Sequence, residues 1–332
     1  MCIGVSIGIS LYPEHGMTVQ TLLDNADSAL YQAKAQGRGR YAYFSEEMTL
    51  YVKQRIALES KLQKAIKNQE LTVFFQPQVD VKSGEIVGAE ALVRWQDPIE
   101  GLIPPIRFIP LAEESNLILE IGEWILRETC RQGKVWLDSG FAPLTLAVNV
   151  SPKQFRHVNM VSLVEKVLQE TGFPAHLLEL EITESGLMEN SFTENCEPKL
   201  KNNGKIHHNT PSQILNSLRD LGVLLAIDDF GTGYSSLAYL KNFPLNVLKI
   251  DKCFIDEIPH LKYDVEIAST IIAMGLNLGF KVLAEGVETE EQLAFLRKKG
   301  CHVYQGYLKS KPLPAAHFAE LLQKEQLQKQ AM

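Results

Sequence analysis

No CxxC pair occurs among the five cysteines, Cys2, Cys130, Cys196, Cys253 and Cys301. An odd, scattered set builds neither a disulfide framework nor a thiolate zinc site, and it suits a reducing cytoplasmic compartment. Long hydrophobic runs are missing too. The longest, such as Val223–Ile227, are strand-length, far short of the ~20 residues that span a bilayer. The N-terminus has no basic stretch followed by an apolar core, so neither membrane insertion nor a signal peptide is expected of this chain. Positive charge is also in deficit: 33 Lys and Arg against 40 Asp and Glu give a net charge of −7. Nothing in that balance attracts duplex nucleic acid, so any phosphate chemistry must rely on local cations or metals. What remains, at 45% hydrophobic and 22% charged in 332 residues, is an ordinary globular composition with room for one large domain and a smaller piece.

From residue 70 onward, apolar β-branched runs alternate with segments of helical period. The strand candidates are Leu71–Phe75, Glu85–Val93, Leu144–Val148, Leu178–Ile182, Val223–Ile227, Val247–Ile250, Lys281–Leu283 and Cys301–Tyr304. Between them, Val265–Gly279 and Glu290–Gly300 read as amphipathic helices closed by glycine. Eight such units predict an α/β fold, a (β/α)8 TIM-like barrel over residues 70–332. The first two strands are joined only by Val81-Lys82-Ser83-Gly84, too short for the crossover that parallel neighbours need. One barrel strand is therefore expected to run antiparallel.

Residues 1–45 read as strand, helix, strand, a small α/β fragment with too few elements for a core of its own. Residues 46–69 read as a linker helix. The polar stretch 191–209, with Pro198, Gly204 and His207-His208, lacks either periodicity and is expected to be a long exposed loop, its histidines solvated rather than metal-bound.

Polar residues recur where the strands end: Glu90, Asn149, Glu181, the Asp228-Asp229 pair, Lys249 with Asp251, Glu285 and Gln305. In a barrel these ends converge on one face, where active sites sit. Any one of these acids alone reads as a solvated surface carboxylate; so many on one face do not. An all-oxygen set without cysteine or histidine suits Mg2+ or Mn2+. Adjacent aspartates repel when desolvated unless cations lie between them, which points to a two-metal centre. Lys249 reads either as a point charge for water or phosphate or as an ion-pair partner of Asp251 or Glu285.

At these residues the chain resembles the EAL family of cyclic-di-GMP phosphodiesterases. The matching stretches are FFQPQVD (74–80), EALVRW (90–95), FIPLAEE (108–114), VNVSPKQF (148–155), ELEITES (179–185), AIDDFGTGYSSL (226–237), LKIDKCFI (248–255), AEGVET (284–289) and YQGY (304–307). The resemblance implies hydrolysis of cyclic-di-GMP to linear pGpG by a metal-activated water. It implies that Glu90, Asn149, Glu181 and Asp228 bind one metal and that Asp228 and Asp229 serve a second. Lys249 and Glu285 are then catalytic, Gln76, Arg94 and Gln305 bind substrate, and Glu184 and Glu288 anchor loops. A homodimer, dependence on Mg2+ or Mn2+ and inhibition by Ca2+ belong to the same implication. Residues 1–45, with VSIGISLYP (5–13) and LLDNADSALYQAKAQGRGRY (22–41), resemble the C-terminal part of a GGDEF diguanylate cyclase domain. The glycine-rich turn of that family is absent, so no cyclase activity is expected.

Two other functions compete with the enzyme. One is a catalytically weak cyclic-di-GMP receptor, the other an inert interaction platform. The intact set Glu90, Asn149, Glu181, Asp228, Asp229, Lys249 and Glu285 favours turnover over both.

Overall fold

The computed structural model describes residues 4–35, 37, 39–157, 159–191, 210–232, 240 and 243–330. They form two compact units, one of residues 1–69 with 106–115, the other of residues 70–105 with 116–332.

In the first unit, β1 (Ile7–Ile9) and β2 (Tyr41–Tyr43) pair in parallel, linked by helix α1 (Val19–Ala35). Gly8 faces the helix, and a Cβ there would lie 2.0 Å from the Ala26 carbonyl oxygen, so the helix packs directly on backbone. Helix α2 (Glu46–Lys67) and helix α3 (Pro105–Ser115) complete the unit. Tyr31 of α1 donates to Glu114 of α3 at 3.2 Å, and Arg55 of α2 pairs with the same carboxylate.

The second unit is a closed barrel of eight strands: β3 (Leu71–Asp80), β4 (Ile86–Asp97), β6 (Thr145–Val150), β7 (Leu178–Thr183), β8 (Leu224–Phe230), β9 (Val247–Ile250), β10 (Lys281–Ala284) and β11 (Val303–Gln305). From β4 to β11 each pairs in parallel with the next barrel strand. β3 runs antiparallel to both its neighbours, closing the cylinder against β4 and β11. The tight turn at 81–85 forces that inversion, as its length predicts. Two short strands not expected from the sequence extend the sheet: β5 (Gly101–Ile103) folds back on β4, and β12 (Leu313–Pro314) pairs with β3. Both are too short to show an alternation of their own.

Helices cover the strands because each carries one apolar stripe. In α4 (Leu117–Asp138) the buried residues Ile118, Ile121, Gly122, Ile125, Leu126, Thr129, Cys130, Gly133 and Trp136 recur at steps of three and four, the period of a single helix face. Gly300 ends the helix Glu290–Lys299 in the left-handed conformation at φ 80, a C-terminal stop that other residues adopt at a cost. Of the stretch 191–209, Ser191 is the last residue of a short helix, α7 (Glu184–Ser191), and residues 192–209, with both histidines, lie outside the described residues. Among the described residues no helix is long and apolar enough to cross a membrane.

The helix Ala315–Gln330 closes the unit over β3. Phe318 is fully buried, with its ring 5.1 Å from Trp136 of α4, which in turn meets Phe75 of β3 edge-on at 4.8 Å. The substitution Phe318→Ala is expected to cost about 3–5 kcal/mol, read as a lower urea midpoint at unchanged m-value. A loss below about 1 kcal/mol would show that this helix does not hold the barrel shut.

Candidate active site

Side chains alternate along a strand, so residues two apart share a face. The barrel interior follows this rule in layers. Ala226, Val247, Leu283 and Val303 pack together as an apolar floor. Two residues further along the same four strands, or just past their ends, stand Asp228, Lys249, Glu285 and Gln305. β4, β6 and β7 add Glu90, Asn149 and Glu181, and the inverted β3 adds Gln76. The residues singled out from strand ends thus form one polar layer at the mouth of the barrel.

Lys249 is its hub. Its side chain is wholly buried, with Nζ 2.8 Å from Glu285, 2.9 Å from Glu181, 3.1 Å from Asp228 and 3.9 Å from Glu90. Of the two ion pairs expected for it, that with Glu285 is present. Around the hub, Asn149 Nδ2 donates to Glu90 Oε1 at 2.6 Å. Gln305 Nε2 donates to Gln76 Oε1 at 3.2 Å and also to Glu90. Gln76 Nε2 in turn reaches the Ser310 carbonyl at 3.4 Å. Arg94 lies half-buried with its guanidinium 5.6 Å from the Phe74 ring and donates to the Val93 carbonyl. Glu184 accepts from the Gly231 amide at 3.0 Å, and Glu288 pairs with Lys252 at 2.7 Å. These last two tie down segments that follow β8 and β10.

Asp228 and Asp229 ought to point to opposite faces of β8, yet both belong to the site. Between Ile227 and Phe230 the register slips: three steps along β8 match two along β9, from Leu248 to Ile250. The extra residue is a β-bulge, and Asp229 takes it up in the left-handed conformation at φ 53, a region that Asp tolerates better than most residues. As a result carboxylate oxygens of Asp228, Asp229 and Glu285 lie within 4.8 Å of one another.

Five carboxylates (Glu90, Glu181, Asp228, Asp229, Glu285) therefore face one ammonium, and three of them have raised pKa values. Burial raises Glu181 well above the usual carboxylate range, Lys249 only partly opposing it. Burial pushes Glu285 up to about 8. Asp229 is pushed to about 6, by burial and then by the charge of Asp228. Burial alone would depress Lys249, but the charges of Asp228, Glu181, Glu285 and Glu90 together hold it well above the ordinary lysine value. Among the described residues, neither buried carboxylate oxygen of Glu181 has an aligned hydrogen-bond donor, although Oε2 lies 2.9 Å from Lys249 Nζ, and Gln305 Oε1 also lacks one. Lone pairs of this kind, all oxygen and in excess of nearby positive charge, fit hard divalent cations.

Two further acids, one of them the strand-end Asp251, are given no role by the sequence reading. Asp251, at the end of β9, hydrogen-bonds to Asp229 through its side chain. Its position just after Lys249, matching that of the other strand-end acids, was the available signal. Glu179 lies one layer below Glu181, is 2% exposed, and is pushed by burial to about 7. A glutamate inside Leu-Glu-Leu-Glu-Ile gives no hint of which way it faces until the register is known.

The family described as EAL domain matches residues 59–312, and the family described as diguanylate cyclase, GGDEF domain, matches residues 1–40. The chain is 44% identical over 314 residues to the bifunctional diguanylate cyclase/cyclic di-GMP phosphodiesterase MucR of Pseudomonas aeruginosa, covering 94% of this chain and 43% of that protein. It is 43% identical to the cyclic di-GMP phosphodiesterase NbdA of the same organism, covering 96% of this chain and 38% of that one. The chain thus spans well under half the length of these relatives. Among solved structures, the PaMucR phosphodiesterase in complex with c-di-GMP is 42% identical with a TM-score of 0.72, covering 79% of this chain and 99% of that chain. The EAL enzyme Bd1971 bound to cAMP and cyclic-di-GMP is 28% identical with a TM-score of 0.74, covering 93% of this chain and 77% of that chain. With its barrel matched almost from end to end, the chain belongs to the EAL domain family.

Proposed function

We propose that this chain hydrolyses cyclic-di-GMP to linear pGpG with divalent metal ions bound at the mouth of the barrel. The observation that carries the reading is the bulge at Asp228-Asp229, which gathers three carboxylates within 4.8 Å beside a fully buried lysine. A receptor that only held the nucleotide has no need of that concentration of negative charge against a phosphate ligand. Relatives named as cyclic di-GMP phosphodiesterases and a relative structure holding c-di-GMP support the substrate.

Glu90, Asn149, Glu181 and Asp228 would hold one cation, and Asp228 with Asp229 the other. Bound there, Mg2+ or Mn2+ would supply an activated water and neutralise charge on the phosphate and the leaving oxygen. Glu285, 2.8 Å from Lys249, accepts the proton of the attacking water. Lys249 stays charged and orients that water. A P–O bond to water forms, the bond to the ribose 3′-oxygen breaks, and that oxygen takes up a proton. Arg94 and Gln76 hold a phosphate and a base of the substrate, and Gln305 keeps Gln76 and Glu90 in register. The same reading makes the protein cytoplasmic and dimeric, with the segment after Asp229, tied by Glu184, linking site to partner.

Replacing Glu90 by Gln keeps the shape but removes a charge-bearing ligand. Turnover, followed by chromatography of pGpG with Mn2+ present, should fall by about a hundredfold or more, beyond the usual loss for an outer-shell group; unaltered turnover would sink the ligand assignment. Ca2+, which prefers longer bonds and more ligands, should inhibit the Mn2+-loaded protein. Full activity in Ca2+ alone would contradict a compact two-cation site.

The raised pKa values also predict a pH dependence of stability. Glu285 and Asp229 bind protons more tightly folded than unfolded, so their contribution is complete below about pH 4 and is lost as pH rises through about 6 and then about 8. In EDTA, the melting temperature should therefore fall more steeply between pH 5.5 and 8.5 for the natural chain than for Glu285→Gln. Added Mn2+ should flatten the slope. Equal slopes for the two proteins would refute the origin assigned to it.

A further inference from the structure

Two loops adjoin the groups assigned to the chemistry. One follows β9 from Asp251 to Asp256, directly after Lys249; the other follows β10 from Glu285 to Thr289. Beyond the bond from the Glu285 amide to the Ile250 carbonyl at 3.1 Å, the strand ladder does not align them. Gln292, in the first turn of the helix Glu290–Lys299, lies between them and is 3% exposed. Its amide spends both ends across the gap. Oε1 accepts from the backbone amides of Glu288 at 2.7 Å and Thr289 at 3.0 Å, while Nε2 donates to the carbonyls of Ile255 at 3.0 Å and Asp256 at 3.3 Å.

The loops approach closely at this point. Gly286 sits at φ +69, where a Cβ would lie 2.3 Å from Lys252 Cγ. The Lys252–Glu288 ion pair also crosses from one loop to the other, but both side chains are nearly half exposed, so it contributes little. The Gln292 bonds are shielded from water, and a lost partner there leaves a buried group with its full desolvation cost. We propose that Gln292 is a positioning residue for the reaction: it sets the distance between Glu285 on one loop and Asp251 on the other. Only its catalytic part rests on the function proposed above.

Gln292 has a second role that must be separated from this one. Together with Thr289 it forms the capping box of its helix, a duty for which glutamate serves equally well. Gln292→Glu therefore keeps the cap and the two amide contacts, but sets a carboxylate oxygen against the Ile255 and Asp256 carbonyls. Gln292→Leu removes both halves.

The experiment titrates Mn2+ into the metal-stripped full-length chain by calorimetry, and measures kcat and KM for cyclic-di-GMP and the melting temperature of each protein. Both variants should bind Mn2+ and turn over about ten- to a hundredfold less well, because the loop that Gln292 holds carries Asp251, the hydrogen-bond partner of the ligand Asp229, and loss of such outer partners has that usual range. KM should stay within about twofold, since Gln292 touches no substrate. A folded Gln292→Glu protein with Mn2+ affinity and kcat within about threefold of the natural chain would overturn the proposal. So would failure of both variants to fold, which would make Gln292 a stability residue alone. If the natural chain turns nothing over, the reaction is wrong, and the Mn2+ titration still decides the role of Gln292.

Discussion

One buried ammonium sets the terms for the mouth of the barrel. Lys249, with no exposed surface, touches carboxylates from β7, β8 and the end of β10 and lies near a fourth on β4. Isolated burial of any of these charges would be prohibitive, and pairing recovers the cost only when the partners are well placed. Here they are too many. One positive charge cannot balance five carboxylates, and burial, reinforced by neighbouring carboxylates, raises the pKa values of Glu181, Glu285 and Asp229. An assembly like this is stable only while protons or cations make up the deficit, so metal loading and protonation compete for the same lone pairs.

The barrel makes this concentration of charge possible because its floor is apolar. Ala226, Val247, Leu283 and Val303 pack together just beneath the polar layer, with the buried Glu179 the ionisable exception one layer below Glu181. The strands supply rigidity and the bulge supplies the exception. Where regular alternation would send Asp229 to the helix side, one extra residue turns it inward, in keeping with the tendency of bulges to re-aim side chains next to active sites.

Much of this was legible in the residues themselves. The eight barrel strands follow from apolar runs, and the inversion of β3 follows from a connection too short for a crossover. The convergence of Asn149, Glu181, Lys249 and Glu285 follows from their places near strand ends, whereas Glu90 stands inside β4. What was not legible depended on register. Asp229 needs the slip against β9, and Glu179 needs to be known as inward-facing. Gln292 looks from sequence like half of a capping box and nothing more; its bonds to Ile255 and Asp256 cross 36 and 37 positions of chain, a separation that no local pattern reports. β5 and β12 are too short to declare themselves.

The inverted strand also alters how the barrel is tethered. Leu71, the first residue of β3, pairs with Trp95 at the far end of β4, on the side where the carboxylates gather. In an all-parallel barrel the leading strand would start at the opposite end, and whatever precedes it would hang from the foot of the cylinder. Here the polypeptide comes into the barrel at the rim that carries the polar layer. A pull or twist on the preceding backbone is thus applied one strand away from Glu90 and within the same strand as Gln76, without having to travel the length of the sheet.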